Sequence, residues 1–150
     1  MNDPFEVGGK TYRVAQMDTF KQFHVARRCH PLTLAIVDEV ENIEGLATMP
    51  PEEKDGRFAL AYSMGIAQGF SKLSDADADF ILNGCLDVIQ RKDDTSGQWV
   101  QVRAKNGGLM FMDVDRRVML DLVLHVVQDK DLDLLSFFGG VSAPSAVKTP

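Results

Sequence analysis

The sequence predicts an α+β fold that is predominantly α-helical, with an N-terminal β-hairpin, a helical core of about four to five helices and a small second β-hairpin near residues 98–112. Three observations predict it. Gly8-Gly9 separates two short alternating runs, Phe5/Val7 and Tyr12/Val14. Apolar residues then recur at helical spacing in successive segments between Thr19 and Asp129. Between the later segments, Gln98–Arg103 alternates like a strand and is followed by the turn Asn106-Gly107-Gly108 and the apolar run Leu109–Met112.

The first hairpin follows from Gly8-Gly9, which supplies the positive φ angles of a two-residue turn. Two strands this short are not stable alone and must lie on other structure, and the helical core, beside Gln98 to Met112, is the expected support. The first helix starts near Asp18 or Thr19, with Thr19 and Gln22 fitting a capping box. Pro31 biases His30 away from helical angles, which predicts a break or kink there. A second helical segment covers Leu32 to about Ile43, with Asp38, Glu39, Glu41 and Glu44 on its polar side.

Gly45–Gly56, with Pro50-Pro51 and the charge cluster Glu52–Asp55, reads as a loop. Arg57–Lys72 reads as a helix with two ridges, one large (Phe58, Tyr62, Ile66, Phe70) and one small (Ala61, Gly65, Gly69). Two glycines inside a helix cost about 1 kcal/mol each relative to alanine, and close approach of another helix is the natural compensation. Ser74 opens the next helix, with Asp75, Asp77 and Asp79 in the first turn, where carboxylates favour the dipole; its apolar surface runs to about Gln90. Arg91–Gly97 reads as a polar turn. Asp113 is the expected cap of the last long helix, about Val114–Asp129, which is apolar on most sides and so expected to be central or at an interface. The domain boundary falls at 1–138, and residues 139–150 have the composition of a flexible tail.

Composition narrows the function. The 150 residues favour one domain, and 45% hydrophobic with 25% charged residues is ordinary for a globular protein. A net charge of −6 disfavours a nucleic-acid partner, although Lys10, Arg13, Lys21, Arg27 and Arg28 make the N-terminal part locally basic. Arg27 and Arg28 have a simpler use in pairing with Asp38, Glu39, Glu41 or a protein partner. Cys29 and Cys85 are too far apart in sequence for a CxxC site and read as reduced thiols in a cytosolic chain. No secretory signal or membrane span is expected.

The chemical motifs fail one by one. Asp75-x-Asp77-x-Asp79 and Asp129-x-Asp131-x-Asp133 lack the glycine and glutamate that a calcium loop requires. Cys29-His30 cannot face each other on one helix, and nothing marks His24 or His125 as a base for either thiol. Neither phosphate-binding glycine motif is present. No catalytic residue, cofactor, metal site or small-molecule substrate is therefore assigned. In FKQFHVARRCHP (residues 20–31), Phe20 and Phe23 are expected to anchor the helix to the hairpin or core, with His24, Arg27 and Arg28 at the margin.

At this point a resemblance adds to the physical reading. The hairpin, then Met17-Asp18-Thr19-Phe20-Lys21-Gln22-Phe23-His24-Val25-Ala26-Arg27-Arg28 and Pro31-Leu32, look like the opening of a tail assembly chaperone family of tailed bacteriophages and prophages. Leu73–Asp77, Cys85–Lys92, the Trp99 strand, Met112–Asp115 and Val126–Asp129 are similar in the same order, from about Phe5 to Phe138. The resemblance implies a non-enzymatic protein in the host cell cytoplasm, absent from the finished virion. Its partner would be the tape measure protein, whose apolar stripes it covers until tail-tube subunits replace it; the tail-tube protein and a second copy of the chain are further partners to consider. Some members also occur as frameshifted, extended forms.

An apolar groove that takes a helix would suit this task, with many weak copies along one long client. The candidate surfaces are Phe58, Tyr62, Ile66 and Phe70, the region of Leu120 and Leu124, and the basic margin of Arg27 and Arg28. The competing readings are a structural tail component retained in the virion, a small nucleic-acid-binding regulator and a cysteine-dependent enzyme.

Overall fold

A computed structural model describes residues 3–136. It contains strands β1 (Phe5–Val7), β2 (Lys10–Val14), β3 (Ile89–Lys92) and β4 (Trp99–Gln101) and helices α1 (Thr19–Glu41), α2 (Pro51–Ser71), α3 (Asp75–Leu86) and α4 (Arg116–Val127). The α+β, mainly helical class is as the sequence predicts. The expected tail at 139–150 lies outside the described residues.

The four strands form one antiparallel sheet in the order β1-β2-β3-β4. Gly8 and Gly9 take φ of 59° and 79° and close the β1–β2 turn as expected. The hairpin's main support, however, is edge-to-edge: β2 pairs with β3 in the register Tyr12↔Arg91, Val14↔Ile89. Helix α3 thus ends at Leu86, and Ile89–Lys92 is a strand rather than helix end and turn. The expected small second hairpin is present as a tight turn, with the Met110 amide donating to the Val102 carbonyl and the Ala104 amide to the Gly108 carbonyl. The main partner of β4 is β3, and Leu109 joins only through a single bridge to Arg103.

One core unites sheet and helices. Val7, Tyr12, Val14, Ile89 and Val102 from the sheet region meet Val25 and Cys29 of α1, Ile81 and Cys85 of α3, and Leu122, Val123 and Val126 of α4. The last helix is central along this face, as its apolar content suggests. Its N-cap is Asp115, whose carboxylate accepts from the Val118 amide. The expected cap, Asp113, is instead engaged by Arg91 at 2.7 Å.

Helix α1 runs unbroken through Pro31, contrary to the predicted break. Pro31 is exposed, while Cys29, Leu32 and Ile36 on either side of it in sequence are buried. Interior proline costs about 3 kcal/mol, and burial of those side chains at about 1.5–3 kcal/mol each outweighs it. Asp18, not Thr19, caps this helix by accepting from the Lys21 amide, and Gln22 donates its side-chain amide to the Leu132 carbonyl. Helix α2 begins at Pro51, six residues before the expected start at Arg57. Pro51 occupies the first turn, where its missing N–H costs nothing, and Glu52 and Glu53 favour the positive helix end.

The 23 residues of α1 and the 21 of α2 form an antiparallel pair. The small ridge is where they touch. A Cβ on Gly65 would lie 2.5 Å from the Ile36 Cα, and one on Gly69 would lie 2.7 Å from the Leu32 Cα. These are backbone contacts that only glycine permits.

Gly65→Ala is expected to lower unfolding free energy by about 1–2 kcal/mol, overpacking exceeding the helix-propensity gain. Gly56→Ala, in the same helix with open space at its Cβ, is expected to raise it by up to about 1 kcal/mol. Urea denaturation of both variants checks the sign difference.

Candidate partner-binding surface

The large ridge of α2 passes from solvent into the core. Phe58 is exposed, and Ile66 is buried against Leu32 and Ile36. Tyr62, Phe70 and Leu124 pack on that same cluster. Burial, and secondly the charge of Asp133, raises the Tyr62 phenol above its ordinary pKa. Ile66 and Phe70 therefore hold α2 on α1, Leu124 of α4 reaches the same cluster, and Phe58 and Leu120 present surface. The structure brings both sequence-derived candidate regions to one cluster, and most of it is closed.

Residues 20–31, FKQFHVARRCHP, are arranged differently from expectation. Phe20 is 77% exposed and Phe23 is also exposed, so neither anchors the helix to the hairpin. The inward positions are Val25, Ala26 and Cys29, set by the 3.6-residue period of α1. Phe23 meets His24 edge-on with ring centroids 5.4 Å apart. Arg28 does not pair with Asp38, Glu39 or Glu41. Its guanidinium lies 3.8 Å from the centre of the Phe80 ring and bonds Asp77 at 3.1 Å, tying α1 to α3. Arg27 is exposed.

Other basic residues of the N-terminal part are also occupied. Lys10 pairs with Asp94 at 2.8 Å, Arg13 lies over Trp99 and bonds Gln90, and Lys21 lies over Phe80. Arg91, only 9% exposed, lies between Tyr12 and Phe111 and bonds Asp113. That hydrogen bond raises the Arg91 pKa and holds the Asp113 carboxyl below its ordinary value. The acidic triplets have local tasks: the Ser74 hydroxyl accepts from the Asp77 amide while Arg28 takes the Asp77 carboxylate, and Asp129 accepts from the Asp131 and Leu132 amides.

The cysteines are buried. Desolvation pushes the Cys29 thiol up to about 12, and desolvation followed by the neighbouring Cys29 raises Cys85 well above 9.0. Both are therefore thiols, not thiolates, near neutral pH, the opposite of an activated nucleophile.

Surface apolar residues missed by the sequence reading are Leu34 and Val37 on α1, Leu60 and Met64 on α2, and Leu109, Met110 and Met112 in the loop after β4. The signal was present for α2: Leu60, Met64 and Gln68 recur at four-residue spacing, away from the Phe58 ridge. Among the described residues no helix is long and apolar enough to cross a membrane.

The α1–α2 pair packed on a sheet-backed core defines a mainly helical α+β domain as the class, with several large apolar side chains in solvent. A family model described as phage tail assembly chaperone protein, TAC, matches residues 8–142, and the chain belongs to that family. Searches of curated proteins and of solved structures returned no match to the chain.

Arg28→Glu is expected to cost about 1 kcal/mol of stability through the lost Phe80 and Asp77 contacts, whereas Arg27→Glu stays within about 0.5 kcal/mol of the parent; thermal denaturation separates them. The thiols give a pH prediction. Their folded pKa values lie above the unfolded value of 9.0, so their contribution is fully present below pH 9 and is lost as pH rises from 9 towards 12. A urea midpoint falling through that window, with both thiols unreactive to a thiol reagent at pH 8 until unfolding, is the expected result.

Proposed function

We propose that this chain is a non-enzymatic chaperone of the host cytoplasm that binds and solubilises the tape measure protein during tail assembly. Family membership carries the reading, since a tail assembly chaperone acts on tail proteins and the longest helical tail component has the greatest apolar surface to protect. The exposed Phe58, Leu120, Leu34 and Met64 side chains support it, because they offer apolar contacts on a framework whose core is already closed. The burial of both thiols and the local engagement of Lys10, Arg13, Lys21 and Arg28 favour it over the cysteine-enzyme and nucleic-acid readings.

Co-expression with the cognate tape measure protein is expected to move that protein from the insoluble to the soluble fraction in a complex that copurifies. Equal solubility of the tape measure protein alone, with no copurification, rejects the proposal. Mass spectrometry of purified virions is expected to find the chain depleted; abundant peptides would support a structural component instead.

A further inference from the structure

The free face of the α1–α2 pair carries a groove of about 310 Å³ lined by Pro31, Leu34, Ala35 and Asp38, with Glu39, on α1, and by Gln68 and Lys72 on α2. Met64 and Leu60 precede Gln68 by one and two helical turns and so prolong its α2 rim towards the connecting loop. Leu34 is 58% exposed, Leu60 56% and Met64 43%, so three large apolar side chains stand in solvent along one track. The Phe58–Phe70 ridge lies on the other side of α2, where Tyr62, Ile66 and Phe70 are taken up by the cluster around Leu32 and Ile36.

The charge around this track is mainly negative, with Lys72 the one cation in the lining of the groove. Between residues 37 and 58 stand Asp38, Glu39, Glu41, Glu44, Glu52, Glu53 and Asp55 against Lys54 and Arg57, which accounts for nearly all of the chain's net charge of −6. The ion pairs at Asp77, Asp87, Asp94 and Asp113 all lie on the body of the fold, none of them on this arm. An apolar track with a carboxylate rim is complementary to a helix whose apolar stripe is bordered by lysine or arginine. A second copy of the same arm would set like charges against each other, which disfavours that occupant.

We propose that the α1–α2 groove is a helix-docking site for a basic-flanked amphipathic α-helix, with Leu34, Leu60 and Met64 covering its apolar stripe and Asp38 and Glu39 facing its cations. This inference rests on the chaperone reading and specifies the client chemistry. Docking a helix here shields the client's stripe while leaving the sheet and α4 untouched. Contacts with the rim carboxylates make attachment salt-sensitive, and attachment through a few side chains keeps each copy's affinity modest.

The test uses the full chain and two synthetic helical peptides with the same leucine stripe, one flanked by lysine and one by glutamate. By fluorescence anisotropy the lysine peptide is expected to bind at least about tenfold tighter, with the preference shrinking as salt rises. Leu34→Glu and Met64→Glu are each expected to weaken it about tenfold, and Asp38→Lys with Glu39→Lys to invert the preference; all four positions are on the helix surface, and circular dichroism verifies that each variant is folded. Equal binding of both peptides, binding of neither, or folded variants that bind like the parent overturns the proposal. So does sedimentation showing that the same substitutions abolish self-association, since a second copy is then the occupant. Solubilisation of the tape measure protein by the folded groove variants at parental level overturns this site while leaving the chaperone function standing; failure of the parent itself rejects both.

Discussion

The fold depends on two helix backbones brought into direct contact. Gly65 and Gly69 of α2 lie against the backbone of α1 at Ile36 and Leu32, closer than any side chain would allow. Glycine inside a helix is unfavourable by itself, so these residues stabilise the structure only through what the approach makes possible. It lets Leu32, Ile36 and Ile66 form a buried cluster, with Tyr62, Phe70 and Leu124 packed around it. The same contact accounts for the continuity of α1. Leu32 and Ile36, just beyond the proline, are fixed against α2, and Val25 and Cys29, just before it, are fixed in the main core. Both halves are thus held on one axis.

A second constraint joins the N-terminal hairpin to the middle of the chain. Strands β2 and β3 pair across more than seventy intervening residues, so the N-terminal hairpin is a piece of a sheet and not an ornament on the helices. The pairing is completed by Arg91, which points inward where an apolar residue would ordinarily sit. Tyr12 and Phe111 flank its guanidinium and Asp113 accepts its hydrogen bond, so the charge is retained at low exposure. A carboxylate that caps nothing and an arginine in a strand interior are two halves of one solution.

These details explain which parts were legible in the sequence. The Gly8-Gly9 turn, the Ser74 cap and the Gly65/Gly69 contact are local or strictly periodic signals, and each was readable from a few residues. Strand β3 was not. Val88-Ile89 extends the apolar pattern of α3, and Arg91-Lys92 reads as solvent-facing until Tyr12 and Phe111 are known to flank Arg91. Pro31 misled for a related reason: the local bias is real, but partners distant in sequence outweigh it. The start of α2 at Pro51 was readable in principle, since proline in a first turn followed by Glu52-Glu53 is a helix opening. On the surface, large aromatic residues drew attention to the Phe58–Phe70 ridge, yet size favours burial as much as binding. Leu60 and Met64, on a third face, are left in solvent together with Phe58.

A chaperone surface must satisfy opposing demands. It needs enough exposed apolar area to cover a client, and that area must neither collapse into its own core nor attract its own copies. In α2 the first demand is met by separation of faces. The glycine ridge holds α1, the ridge from Tyr62 to Phe70 completes the core, and Leu60 and Met64 remain outward because no remaining position on the helix can bury them. The second demand falls to the carboxylates of the arm. Copies meeting through the same rim repel, whereas a cationic client is attracted, so one set of charges discriminates between self and client. The physics also favours release: exposed ion pairs contribute little individually and weaken with salt, so many copies along one chain can hold it together and still be displaced one at a time.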